Sequence, residues 1–380
     1  MLLKKLKRKQ LPDGSWDVTV DIVKLGNREM PQLVEVKLQN GSTVRKWWHN
    51  HESRKEDSFS FNVNSKPVSA SLDPDVRTLD VDRRNNYFRR MPIAWQFGLF
   101  NTGFNPRDRY SVHWLPTLYY HELDGLTPGL RLDRTYGHWE WVRLRLNYAT
   151  VSDPDSDNNI YWSIGGWRQP VHILPRTKFH YWMFHQPGLQ EIGFQAERSW
   201  SRVYGSPPYH TTKIGSYLQP EIDTSRTNVY DPGKLALLYL KHSVGIGSFD
   251  LETEISSSVG PYSTWDFHRF TEIVSFEWSR SLRTSKFWDD MLELTMMGVR
   301  SRFIFGKTWA DNSGLPNQDG YNVEGNGSAD MFRRYYLRDE SSFFGLTEFN
   351  HHYHMPGEGN IRGFVGKGEP GADALTAFST

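Results

Sequence analysis

The residues best suited to chemistry in this 380-residue chain are histidines and carboxylates. His351, His352 and His354 form the densest histidine cluster, with Glu348 nearby. Imidazole is a borderline-soft metal ligand, but neighbouring strand positions point to opposite faces, so only His352 and His354 converge and no third ligand stands at useful spacing. A polar strand end accounts for the cluster better than a metal centre. A zinc peptidase needs H-E-x-x-H, which sets two ligands one helical turn apart with a general base between them. Of the His-Glu dipeptides, His121-Glu122 has Gly125 where the second histidine should be, and His51-Glu52 has Lys55 there.

Carboxylate pairs such as Glu191 with Glu197, or Asp250 with Glu254, could form the acid and base of a glycosidase at roughly 5–10 Å. Residues two apart on any strand already lie about 7 Å apart, so an acidic strand face supplies that spacing without selection for catalysis. Asp289-Asp290 reads as a turn. The chain has no cysteine, which removes disulfides, thiolate zinc sites and cysteine nucleophiles. No nucleophile elbow, phosphate loop or dinucleotide fingerprint occurs, and Gly165-Gly166 and Gly245-Ile246-Gly247 precede no helix. The expectation is a chain with no catalytic residues, no metal and no cofactor of its own.

Aromatic residues are the strongest compositional signal. The 15 Trp, 18 Tyr and 22 Phe make 14% of a chain whose mean hydropathy is −0.64. Trp114, Tyr119, Tyr120, Trp139, Trp141, Trp162, Trp167, Tyr181 and Trp182 could stack sugars, and a girdle at a membrane boundary explains the same residues. The 45 basic and 44 acidic residues nearly cancel, so charge gives no reason to expect a nucleic-acid partner. No apolar run approaches the ~18 residues of a spanning helix. The basic start, MLLKKLKRKQ, is followed by Pro12-Asp13-Gly14 instead of the apolar segment of a signal peptide. Its cluster Lys4, Lys5, Lys7, Arg8 and Lys9 reads as a solvated edge or a linker.

These residues must be held by strands. Trp16, Val18, Val20 and Ile22 alternate with polar residues, as do Val34, Val36 and Leu38, and then Phe59, Phe61 and Val63. Asn40-Gly41 predicts a two-residue hairpin with both residues at positive φ. Leu72-Asp73-Pro74 and the polar stretch from Asp80 to Asn86 close this part, which predicts a small β-sandwich over residues 1–88. Beyond about Trp95 the strands lengthen and acquire two unlike faces. Glu140, Val142, Leu144, Leu146 and Tyr148 oppose Trp139, Trp141, Arg143, Arg145 and Asn147. Ile192, Phe194 and Ala196 oppose Glu191, Gln195 and Glu197, and Phe249, Leu251 and Ile255 oppose Asp250, Glu252 and Glu254. Tight breaks at Asp124-Gly125 and Gly245-Ile246-Gly247 contrast with long polar ones at 219–233 and 311–330, the two kinds of loop that outer-membrane barrels carry. The segment Phe287 to Met297 fits a helix or a strand.

Gly357-Glu358-Gly359-Asn360-Ile361-Arg362-Gly363-Phe364 resembles the loop motif of the bacterial surface antigen superfamily, outer-membrane barrels that assemble or translocate proteins. Tyr335-Tyr336-Leu337-Arg338 and the hairpin from Leu115 to Leu126 resemble other parts of those barrels. The resemblance implies that Ile361, Arg362, Gly363 and Phe364 sit on a loop folded into the lumen. There Arg362 would pair with wall carboxylates, for which Asp250, Glu252 and Glu254 are the candidates. The N-terminal strands, from Gly14-Ser15-Trp16 to Asn85-Asn86, resemble the late β-rich region of zinc metallopeptidases of the aminopeptidase N type. That family's catalytic residues map onto no position here.

The expected fold is all-β: a small β-sandwich-like domain over 1–88, followed by an antiparallel outer-membrane β-barrel region over 89–380. The barrel is expected to be incomplete, because the superfamily carries further strands after its arginine loop, and the chain is expected to begin inside a longer protein. The expected role is a barrel anchor or translocation-type barrel of a metallopeptidase-like envelope protein in the outer membrane. Its partners would be the lipid bilayer and a translocated polypeptide or peptide substrate. A soluble all-β carbohydrate-binding protein or glycosidase is the alternative.

Overall fold

The structure, a computed structural model, describes residues 2–25, 31–49, 56–78, 80, 82–88, 91–98, 106–121, 125–137, 139–151, 159–171, 173–186, 189–201, 208–222, 231–281, 296–311, 314–316 and 374–379. Two compact units divide the chain. The first comprises Met1–Leu115, Leu132–Val142 and Gln169–Pro175, and the second Pro116–Arg131, Arg143–Arg168 and Arg176–Thr380. Among the described residues the regular elements are strands, apart from the short 3-10 turns Arg83–Asn86 and Gly260–Tyr262. The protein is therefore all-β, as its alternating patterns predict.

In the first unit, β1 (Leu2–Gln10), β2 (Trp16–Val23) and β5 (Glu56–Val63) form one three-stranded sheet. β4 (Thr43–Trp48), β3 (Gln32–Leu38) and β6 (Pro67–Leu72) form a second. Val18, Val20 and Ile22 from one sheet pack in a common core with Val34, Val36 and Leu38 from the other. Burial of each such side chain stabilises the unit by about 1.5–3 kcal/mol before entropy is counted. The basic N-terminus is an edge strand, not a linker. A register shift between Leu3 and Lys5 inserts one extra residue, so Leu3 and Leu6, three apart, both turn into the core. Lys4 meets Glu56 at 2.9 Å and Lys7 meets Asp21 at 2.8 Å. A lysine-rich edge also discourages pairing with foreign strands.

Two hairpins use the same turn. The Gly14 amide donates to Leu11 O and the Gly41 amide to Leu38 O, both at 3.0 Å. The carboxylate of Asp13 and the amide oxygen of Asn40 accept from the backbone N–H of Ser15 and Ser42. Gly14 and Gly41 have φ near +86° and +85°. The two-residue hairpin expected at Asn40-Gly41 is instead a three-residue loop, 39–41, since the Leu38 N–H donates to Ser42 O. Only Gly41 takes a positive φ, while the Asn40 side chain accepts from Ser42.

The polar stretch after β6 is packed, not solvated. Arg83 is only 1% exposed and donates to Asp73 Oδ2 (2.5 Å), Asp73 O (3.1 Å) and Thr78 O (2.7 Å). Asp73 also accepts from the Thr78 hydroxyl and from the backbone N–H of Arg77 and Thr78. Tyr136 accepts from the Arg83 backbone N–H at 2.8 Å. Arg84 joins Asp82 to Glu140, and its guanidinium lies 5.2 Å from the Tyr136 ring centroid.

The remaining strands run in chain order through one thirteen-stranded sheet. They are β7 (Ile93–Phe97), β8 (Tyr110–His121), β9 (Gly125–Tyr136), β10 (Glu140–Tyr148), β11 (Ile160–Arg168), β12 (Thr177–Gln186), β13 (Leu189–Ser201), β14 (Tyr209–Ile222), β15 (Gly233–Ile246), β16 (Phe249–Ser258), β17 (Phe267–Ser281), β18 (Met296–Ala310) and β19 (Ala374–Ser379). β7 joins β8 in parallel, whereas the pairs from β11 to β19 are antiparallel. Among the described residues the sheet is open, with β7 and β19 each having one neighbour. Met296 and Met297 open β18, and the rest of the helix-or-strand segment, 287–295, lies outside the described residues.

Burial acts first on the Asp73 carboxyl and raises its pKa, but hydrogen bonds from Thr78, Arg77 and Arg83 outweigh it and hold the pKa below the ordinary 3.8. A depressed folded pKa contributes stability above the unfolded value that is lost as pH falls through the folded one. Asp73→Asn, which strands the buried Arg83 charge, is expected to cost about 3–5 kcal/mol at neutral pH. It should also flatten the acid limb of the unfolding curve. Urea titrations at neutral and acid pH read both effects, and an unchanged acid limb would contradict the role given to Asp73.

Candidate functional site

Side chains alternate along a strand, and residues paired across an antiparallel ladder share a face. The register therefore sorts the second unit's strands into two surfaces. On one, Phe179, Ala196, Ile214, Leu240, Ile255 and Phe270 stand opposite one another strand by strand. Tyr181 and Phe194 lie in the next row on one side. Leu251, Val274 and Phe303 lie two rows away on the other. Ile214 is 60% exposed and Ile255 50%, with Leu238 in the Tyr181 row at 54%, whereas Phe179, Ala196 and Phe270 are half-buried. Trp162, Trp200, Trp278 and Trp309 lie on the same surface towards the strand ends, while aliphatic and Phe side chains occupy the middle. A shallow groove on this surface is bordered by Ile164, Tyr181, Met183, Phe194, Leu238 and Tyr262.

The opposite surface is polar. Glu197, Lys213, Lys241 and Glu254 stand opposite one another on four consecutive strands. Lys213 approaches Glu197 at 3.9 Å, and Lys241 bridges Glu252 and Glu254. Each lysine thus has a carboxylate on its outer side, which offsets the like charges of Lys213 and Lys241 set directly across from one another. Asp250 accepts from the Tyr209 hydroxyl at 2.5 Å. Glu191, almost fully buried, accepts from Trp182 Nε1 at 2.5 Å and from Gln219 Nε2 at 2.7 Å. At one end this surface is covered by an apolar cluster of Leu235, Leu237, Trp265 and Phe267.

Three aromatic rings on the polar surface lie against glycines of the neighbouring strand. Trp182 pairs with Gly193, Tyr239 with Gly215, and Tyr209 with Gly245. A Cβ on any of these glycines would collide with the ring beside it. Tyr239 also donates to Gln195 Oε1 at 2.8 Å. These pairs are invisible along a single strand, because each joins residues from two.

The structure thus brings Asp250, Glu252 and Glu254 onto one face of β16, with Glu252 and Glu254 taken by Lys241 and Asp250 by Tyr209. Ile361, Arg362, Gly363 and Phe364 lie outside the described residues, as do 335–338 and 357–360. The glycosidase pair Glu191 and Glu197 does share the polar face, but Glu191 is occupied by Trp182 and Gln219, and Glu197 has His180 and Lys213 beside it. The aromatic residues do not make one sugar platform: Trp162 and Tyr181 lie on the apolar surface, Trp167 and Trp182 on the polar one. His351, His352, His354, Glu348, Glu122 and 289–290 also lie outside the described residues. Among the described residues no group of three or more His, Asp or Glu could hold a metal ion, and no helix is long and apolar enough to cross a membrane.

Comparison with known protein families, curated proteins and solved structures finds no match.

Gly193→Val is expected to destabilise the sheet by about 1–3 kcal/mol through overpacking against Trp182. Adding Trp182→Ala should return part of that loss, since the two side chains then no longer compete for one space. Urea unfolding midpoints of the single and double variants measure the coupling; strictly additive losses would rule out the interlock.

Proposed function

We propose that the second unit supplies strands of an outer-membrane β-barrel, with the apolar surface towards lipid and the polar surface towards a watery lumen. The observation that carries this reading is the bare apolar surface kept in register from β12 to β18. At about 4.8 Å between strands and 3.3 Å per residue, the surface spans roughly 29 Å by 20 Å, with one polar row, Arg198, Thr212, His242, Thr253 and Glu272, crossing it from β13 to β17. Its strands of 10–15 residues meet the ~9–11 residues that a tilted spanning strand needs. Tryptophans near both ends of an aliphatic band fit the two interfacial girdles of such barrels.

In this reading the protein resides in the cell outer membrane and does no catalysis through the residues named above. The resemblance to the bacterial surface antigen superfamily favours a translocation-type barrel or an anchor. The resemblance of residues 1–88 to a peptidase accessory region makes a metallopeptidase-like envelope protein the setting. Arg362 and the wall carboxylates would then hold the loop, and because Lys241 already meets Glu252 and Glu254, a loop arginine would have to share them.

Ile214→Arg and Ser243→Arg put the same charge on opposite surfaces of neighbouring strands. An arginine on the lipid face costs about 2–4 kcal/mol near the bilayer midplane, and one in the lumen costs little. Ile214→Arg, inward of the strand end but short of the midplane, is therefore expected to lower insertion into vesicles several-fold, and Ser243→Arg to leave it near wild type, both read as urea-resistant, heat-modifiable protein in the membrane fraction. A wild-type chain that stays monomeric in water without detergent, with tryptophan fluorescence that responds to glycans, would replace this reading with the carbohydrate-binding alternative.

A further inference from the structure

A polar row that continues to Thr253 and Glu272 on β16 and β17 crosses the apolar surface, and its basic end lies on β13 to β15. Arg198 stands opposite Thr212, and Thr212 opposite His242, on β13, β14 and β15, while the next row holds Trp200 opposite His210. The Arg198 guanidinium lies 5.5 Å from the centroid of the Trp200 ring, within cation-π range. The Thr212 hydroxyl and His242 Nδ1 share a hydrogen bond of 2.9 Å, which leaves Nε2 for another partner, and the rings of His210 and His242 are 5.9 Å apart. Arg198 is three residues from the end of β13 and Thr212 three from the start of β14, so this end of the row lies at a rim of the sheet.

Among the described residues no carboxylate meets Arg198. Along its row on the same surface, Glu272 is the first acidic residue met, two strands beyond His242 with Thr253 between them. The polar surface balances its charges, whereas this end of the row concentrates a guanidinium, two imidazoles and a hydroxyl beside an interfacial tryptophan. A guanidinium fork with neighbouring donors suits a phosphate, and at a membrane boundary the phosphates at hand belong to lipid headgroups.

We propose that Arg198, Trp200, His210, Thr212 and His242 form a binding site for the headgroup phosphate of an anionic lipid, an inference that rests on the barrel reading above. The lipid's acyl chains would lie along Ile214 and Leu240, the next row of the same surface, and Leu238 beyond them.

The test uses the full chain refolded into vesicles of phosphatidylcholine mixed with phosphatidylglycerol, followed by mild detergent extraction and native mass spectrometry of the retained lipid. Wild type is expected to retain phosphatidylglycerol in preference to phosphatidylcholine. Arg198→Gln is expected to lower that preference about fivefold, the factor that one basic side chain near an anionic surface contributes, and Arg198→Lys to keep most of it. Excess inorganic phosphate should not displace the lipid. Equal retention of both lipids by an inserted wild-type chain, or the same preference in Arg198→Gln as in wild type, would overturn the site and leave the barrel reading standing. Displacement by inorganic phosphate would overturn it in favour of a soluble-anion site. Failure of the wild-type chain to enter these vesicles would remove the barrel reading and the site with it.

Discussion

A strand cannot turn two successive side chains the same way, and a ladder of paired strands passes that restriction from each strand to the next. In the second unit the pairs from β12 to β18 stay in one register over most of their length. Parity is therefore inherited across the sheet, and one residue's orientation determines that of its partners on every neighbouring strand. The separation of apolar from polar surface, the charge pairs around Lys241, the glycine cradles and the basic rim at Arg198 all follow from it. The same rule organises the small sandwich, where the single extra residue in β1 resets parity and lets two leucines three apart reach one core.

The two units manage polar groups in contrasting ways. In the first, Asp73 and Arg83 are buried together, and their hydrogen-bonding capacity is filled by backbone carbonyls, amides and the Thr78 hydroxyl. An ion pair so enclosed adds little net stability but makes loss of either partner expensive. In the second unit the charges line an open surface and neutralise one another across strands. That arrangement constrains the sheet less tightly and leaves carboxylates within reach of other groups.

Much of the fold was legible where one strand carries the whole signal. The alternations in β2, β3, β5, β13 and β16 are plain in the residues, as is the turn at Asn40-Gly41. The strand at Leu2–Gln10 was hidden because its bulge destroys the two-residue period and its lysines resemble a solvated run. The packing of Arg83 was hidden because its partners include Tyr136, more than fifty positions away. Of the candidate carboxylates, the common face of Asp250, Glu252 and Glu254 could be read directly. Their engagement by Tyr209 and Lys241 could not, since it depends on which strands become neighbours. The rim cluster draws one or two residues from each of three strands, and no local window contains it.

The rings set against glycines carry an implication for how the sheet is assembled. Between β14 and β15 the arrangement is reciprocal: Tyr239 reaches back onto Gly215, and Tyr209 reaches forward onto Gly245. Sliding one strand by two residues would preserve parity and every type of backbone hydrogen bond, and so would escape the rule that separates the faces. It would, however, set Tyr239 against Lys213 or Tyr217, where a full side chain already fills the space. The glycines thus discriminate among alignments that alternation alone leaves equivalent, acting as a check on strand addition that tolerates one offset and rejects its nearest competitors.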